Sequence, residues 1–113
     1  MSALSPEEAI REKLTQTAGP VPYSDLAAHL QRDAVFVVAT TVPLIECGVA
    51  IALDDVDQVQ GFIARGELRK PSRQERQDWA SDPGRTWTAV VVQPFVLVQD
   101  SAVFEKITVG VDG

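Results

Sequence analysis

The stretch Ala-Val-Val-Val-Gln-Pro-Phe-Val-Leu-Val-Gln, from Ala89 to Gln99, decides the fold, because a run with no charge and mostly β-branched or aromatic residues cannot lie in water. It reads as a strand in the middle of the domain. One set of side chains is Val90, Val92, Pro94, Val96 and Val98; the other is Ala89, Val91, Gln93, Phe95, Leu97 and Gln99. Both sets are mainly apolar, so each face of this strand has something packed on it. Pro94 has no N–H to donate, so the strand bends there or runs along an edge on that side.

Outward from this strand, Trp87 leads into it, and Asp82-Pro83-Gly84 closes the helix that precedes it. That helix starts at Pro71-Ser72-Arg73-Gln74-Glu75 with a Ser-x-x-Glu capping box and carries Trp79 as a large apolar anchor. Further upstream, Asp54-Asp55 opens another helix with Val56, Val59, Phe62 and Ile63 at helical spacing, and Gly66 suits a left-handed cap after it. Near the N-terminus, Ser5-Pro6-Glu7-Glu8 begins a helix to about Thr17, with Ala9, Ile10 and Leu14 as a narrow apolar stripe. Ala18 to Pro22 stops it, and Ser24 caps a short helix through Leu30.

Between these helices, Val35 to Thr40 and Ile45 to Leu53 read as strands joined by Thr41-Val42-Pro43-Leu44, which makes a hairpin. The same Ile45 to Leu53 residues can also make a buried, Ala-rich helix with Leu44, Gly48 and Ala52 on one side. Beyond the long strand, Phe104 to Val109 suggests a further short strand. The expected fold is α+β: a small, mainly antiparallel sheet of the Val35 to Leu53 hairpin plus the Thr86 to Gln99 strand, packed with about four helices. At 113 residues this is a single domain, residues 1–113, with its core at about 5–99 and a C-terminal extension from 100.

Charge and composition exclude several roles. A net charge of -6 argues against a surface made for nucleic acid or an anionic membrane. Ala34 to Leu53 has the length of a membrane span and a single charge, Glu46, but Pro43, Gly48 and many β-branched residues speak against one. One cysteine and no signal-like N-terminus point to a reducing compartment, the cytoplasm. One cysteine and one histidine cannot supply a zinc site. Cys47, on an apolar face, reads as structural, and His29 as a surface or lid residue without a nucleophile to serve. Asp54, Asp55 and Asp57 have the chemistry to hold Mg²⁺, yet capping of a helix start explains them better. No cofactor is expected.

The one local departure from the acidic balance is Arg65, Arg69, Lys70, Arg73 and Arg76. Lys70 and Arg73 fall at a helix N-terminal turn, where positive charge opposes the dipole and an anion would remove the conflict. Arg69, Lys70, Ser72, Arg73 and Arg76 are therefore the candidate anion site, its ligand a phosphorylated small molecule. No group of nucleophile, base and oxyanion donors is visible, so the leading expectation is a non-enzymatic binding or assembly module. A phosphate-binding enzyme or allosteric module comes second, and an RNA-binding accessory protein third. A homodimer is also expected, because strands apolar on both faces need more cover than one layer of helices, with Gly48, Ala50, Ala52 or Val96 at the contact.

Together, Val21 to Ser24, Ala52 to Asp55, Gly66-Glu67-Leu68, Pro71-Ser72 with Trp79, and Val-Val-Gln-Pro-Phe-Val-Leu-Val-Gln at Val91 to Gln99 resemble a family of small bacterial proteins that share a domain of unknown function. The resemblance spans roughly Glu8 to Gln99, and the last of these motifs is its most specific. Tyr23 and Phe62 stand where that family more often has Trp, a change in packing rather than chemistry. The resemblance implies a soluble bacterial protein and brings no catalytic residue with it.

Overall fold

The computed structural model describes residues 5–100. Ten elements follow in chain order: α1 (Pro6–Thr17), β1 (Gly19–Pro22), α2 (Tyr23–Gln31), β2 (Val35–Val38), α3 (Leu44–Ala52), α4 (Val56–Ala64), β3 (Leu68–Arg69), α5 (Arg73–Ala80), β4 (Thr86–Val92) and β5 (Phe95–Asp100). The fold is α+β. Its five strands form one sheet in the order β1-β4-β5-β2-β3, antiparallel throughout except for the parallel pair β2 and β5. The expected Phe104 to Val109 strand lies outside the described residues.

The deciding stretch is central, but it is two strands rather than one. Val92 pairs with Phe95, so the chain reverses at Gln93-Pro94 and β5 runs back along β4. Pro94 sits at the one place in a hairpin where a missing N–H costs no ladder bond. Expecting apolar cover on both faces was sound, because Val90, Val92 and Leu97 point to one layer while Ala89, Val96 and Val98 point to the other.

The second correction concerns Ile45 to Leu53. These residues form the helix α3 and not a hairpin strand, and Pro43 precedes its first turn. Leu44, Cys47, Gly48, Val49 and Ala50 are all buried. A helix wedged between another helix and a sheet is apolar nearly all round, so its 3.6-residue period disappears and chance alternation imitates a strand. Gly48 is required at that contact: a Cβ there would stand 2.9 Å from Leu14 Cδ1 of α1 and 3.4 Å from Val92 Cγ2 of β4. The same packing corrects the expected placement of a dimer contact, since Ala50 is 2% and Val96 3% exposed within the monomer core.

Helices cover both faces of the sheet. Leu14 of α1, the buried side of α3 and Phe62 of α4 pack with Val38, Val90 and Leu97 on one face. Leu26 and Leu30 of α2 and Trp79 of α5 pack with Val35, Trp87 and Val98 on the other, where the two indoles lie 4.9 Å apart at 56°. Edge strand β1 was not expected, because Pro20 and Pro22 read as a stop. They leave Gly19 and Val21 able to donate, which is enough for an edge that pairs only with β4.

Helix ends follow the local signals. Ser5 Oγ accepts from the Glu8 N–H at 3.2 Å, Asp55 caps α4 through the Gln58 N–H, and Ser72 with Glu75 closes a full capping box on α5. The short helix α2 instead starts at Tyr23 after Pro22, with no side-chain cap, so Ser24 lies inside it. α2, α3 and α4 each end on a residue with positive φ, at Asp33, Asp54 and Gly66. In each, the following N–H returns to a carbonyl of the last turn, as Ala34 does to His29 at 2.9 Å and Glu67 to Phe62 at 2.8 Å.

Candidate functional site

On the face carrying α1 and α3, a groove of about 530 Å³ opens where the end of α1, β1 and the first turn of α3 stand apart above the sheet. Its walls are Ala18, Pro20, Leu44 and Ile45, and its floor is Thr86, Thr88 and Gln99. None of its lining side chains is charged. The floor arises from strand alternation: Thr86 and Thr88 share a face with Val90 and Val92, so the apolar face of β4 turns polar as it leaves the core. Gln99 is fixed by its neighbours. Its Nε2 donates to the carbonyls of Ala39 at 2.9 Å and Val42 at 2.7 Å, which orients the amide and leaves Oε1 as an acceptor.

The walls are braced. Arg11 of α1 forms a two-pronged pair with Glu46 of α3, at 2.7 Å and 2.8 Å, and the guanidinium holds the Glu46 carboxyl below the usual carboxylate range. Thr15, which also lines the groove, donates its hydroxyl to the Arg11 carbonyl at 2.7 Å. Nothing in the sequence marks these residues as a group, since they come from five separate segments. The one available signal is the Thr-x-Thr ahead of a buried strand, polar where core cover was due.

The basic stretch is assembled differently from its sequence reading. Arg69 on β3 makes two bonds to Glu75, at 2.6 Å and 2.9 Å, which hold the Glu75 carboxyl down to about 2. Lys70 pairs with Asp33, as does Arg76, which also donates to the Leu30 carbonyl at 3.2 Å. The Lys70 ammonium is the main reason the Asp33 carboxyl lies below its ordinary value. Arg65 pairs with Glu67. The Ser72 N–H donates to Glu75 Oε1 and its hydroxyl accepts from the Glu75 N–H. Among the described residues, Arg73 alone of the five cations meets no carboxylate. The stretch thus comes together around α5, but as ion pairs that tie β3 and α5 to the end of α2.

Cys47 and His29 are not brought together. Cys47 is fully buried in the α1 and α3 layer, where burial first and the Glu67 charge second push its thiol up to about 11. His29 lies on α2, across the sheet, with Nδ1 2.7 Å from Arg32 Nη2. Asp54 ends α3 and Asp55 caps α4. Among the described residues, no group of three metal-binding side chains converges. No helix among them is long and apolar enough to cross a membrane.

The model of a family described as "Protein of unknown function (DUF2288)" matches residues 9–100. The chain belongs to the DUF2288 family. That span takes in all the elements described here except the first turn of α1, and it includes both the groove and the basic stretch. A solved structure similar to this DUF2288 chain is the "NMR solution structure of PA1075 from Pseudomonas Aeruginosa", with 26% sequence identity and a TM-score of 0.69. The similarity covers 88% of this chain and 93% of that one. No curated protein matches the chain.

Proposed function

We propose that this DUF2288 protein is a non-enzymatic binding module whose site is the groove between α1, β1 and the start of α3. The observation that carries this reading is the groove itself: about 530 Å³, apolar walls, and a few fixed polar groups on its floor. Small-molecule sites have this size and this balance of apolar surface with sparse polar anchors. The chemistry of the lining specifies an uncharged, largely apolar ligand with a donor group for Gln99 Oε1. A charged ligand would lose its hydration there without gaining a counter-charge.

The basic stretch is the weaker candidate for binding an anion. To reach Arg69, Lys70 or Arg76, a phosphate must displace Glu75 or Asp33, carboxylates already held by hydrogen bonds. An RNA ligand meets the same competition and the net charge of -6.

The test is an NMR screen of uncharged apolar fragments against the intact chain, repeated on Thr88→Trp, which fills the groove from the floor. Binding should move the amide signals of Leu44, Thr88 and Gln99 in the native protein and should vanish in the folded variant. A ligand at a hundred times its Kd should also add about 2.7 kcal/mol to stability. Fragments that bind the variant as well as the native protein, or move signals only elsewhere, would sink the reading.

A further inference from the structure

The polar groups along the groove are unequal in kind, and the imbalance sets what a ligand must carry. Gln99 spends both hydrogens of its side-chain amide on the carbonyls of Ala39 and Val42. Turning that amide over would set Oε1 against two carbonyl oxygens, so Oε1 is held toward the groove as an acceptor only. Thr15 spends its hydroxyl hydrogen on the Arg11 carbonyl and likewise keeps only acceptor capacity. Thr86 and Thr88 make no side-chain hydrogen bond among the described residues, so each hydroxyl can both donate and accept. Acceptors therefore outnumber donors among the side chains that line the groove.

Thr88 and Gln99 are direct cross-strand partners, so their side chains leave the sheet on the same face with Cβ atoms about 5 Å apart. The Thr88 O–H and Gln99 Oε1 thus stand as a donor beside an acceptor. A ligand group that answers both must hold an acceptor beside a donor. Ethers, esters and ketones have no donor. An ammonium has no acceptor and brings a charge that no lining side chain balances. An alcohol must serve both partners from one oxygen and has no second hydrogen for the remaining acceptors. A trans secondary amide, as in a peptide, points its N–H and C=O to opposite edges. A primary carboxamide or a lactam presents both on one edge, and the primary amide keeps a second N–H for Thr15 or Thr86.

We infer that the groove recognises an apolar molecule through an amide edge carrying N–H and C=O side by side, as a primary carboxamide or a lactam does. The N–H donates to Gln99 Oε1, and the carbonyl accepts from the Thr88 hydroxyl. The apolar remainder of the ligand lies against Ala18, Pro20, Leu44 and Ile45. The assignment rests on the groove being the protein's binding site and adds which functional group that site reads. Selectivity comes from the fixed amide of Gln99: a ligand without a donor strips water from Oε1 and returns no hydrogen bond.

NMR titration of the intact chain with matched probes tests it, followed at the amide signals of Leu44, Thr88 and Gln99. Cyclohexanecarboxamide should bind about tenfold or more tightly than its N-methyl amide, its methyl ester and cyclohexylmethanol. Caprolactam should exceed N-methylcaprolactam by a similar factor, and the two series separate a primary amide from a lactam as the preferred form. Thr88→Val, which keeps the side-chain shape and removes the hydroxyl, should weaken the carboxamide about tenfold. Thr88→Ser, which keeps the hydroxyl, should not, and both variants should retain the native circular dichroism spectrum. Equal affinities for carboxamide, ester and alcohol at those signals overturn the inference while leaving the groove as the site. A carboxamide that binds Thr88→Val as tightly as the native protein overturns it too. No shift at those signals with any probe removes the site and the inference together.

Discussion

Replacing Glu75 by Gln isolates the interaction that most distinguishes the observed basic stretch from its sequence reading. The amide keeps the shape of the side chain and can still accept from the Ser72 N–H, but it loses the charge that holds Arg69. In the folded protein the Glu75 carboxyl is held down to about 2, against an ordinary value of 4.5, chiefly by the Arg69 guanidinium. Taken at face value, that difference is worth up to about 3 kcal/mol at neutral pH. Arg69 is 46% and Glu75 30% exposed in the side chain, so solvent and salt screen the pair to roughly 1 kcal/mol. Because the folded value is the lower one, this stability is complete above about pH 4.5. It is lost as pH falls toward 2, where the unfolded chain takes up the proton first. Urea denaturation of both proteins between pH 7 and pH 2.5 measures it. The native protein should exceed the variant by roughly 1 kcal/mol at pH 7, and the gap should close as pH falls through that window. Asp33 and Glu46, also held below their usual range, are common to both proteins and cancel in the difference. A gap that stays constant with pH would refute the assignment. The variant also frees Arg69, so phosphate should stabilise it more than it stabilises the native protein if Glu75 is what blocks an anion there.

Two further outcomes follow from the core. Gly48→Ala gains up to about 1 kcal/mol of helix propensity but must move Leu14, so a net loss of about 1 kcal/mol is expected; in a Leu14→Ala background the same change should become stabilising, read by urea denaturation. A thiol reagent at pH 8 should modify native Cys47 at least about a hundredfold more slowly than the unfolded chain, and equal rates would contradict its burial.

What could be read in advance was local. Ser5, Asp55 and Ser72 act on N–H groups three residues away, and Gly66 stops α4 through its own backbone, so these helix ends are visible in short windows of sequence. What could not be read depended on partners far along the chain. α3 lost its periodicity because α1 and the sheet bury it from two sides. The β4 and β5 hairpin was hidden because each strand is apolar on both faces, and Pro94, which marks a bend or an edge, does not by itself distinguish a bend from a full reversal. The basic stretch looked unbalanced because Asp33, which answers Lys70 and Arg76, lies 37 residues before Lys70. The groove had no signature, since a cavity is a property of what fails to fill a space.

That failure has a physical cause in the two helices that form its walls. Gly48 lets α1 settle against α3 at Leu14, and the Arg11 to Glu46 pair fixes the same two helices one turn earlier. Past Leu14, α1 offers only Thr15 and Ala18 toward the sheet before the chain turns into Gly19-Pro20, and α3 has just begun after Pro43. Small side chains on one wall and two prolines with fixed φ leave no residue among those described able to collapse into the space. An unfilled apolar hollow in a packed protein forgoes dispersion contacts that a larger side chain at Ala18 or Thr88 would make. Here the hollow is bordered by rigid elements and floored by a Gln99 amide whose orientation two carbonyls impose. If the groove is the binding site proposed above, a ligand would enter it without ordering the chain around it, which would keep most of the contact energy available for binding.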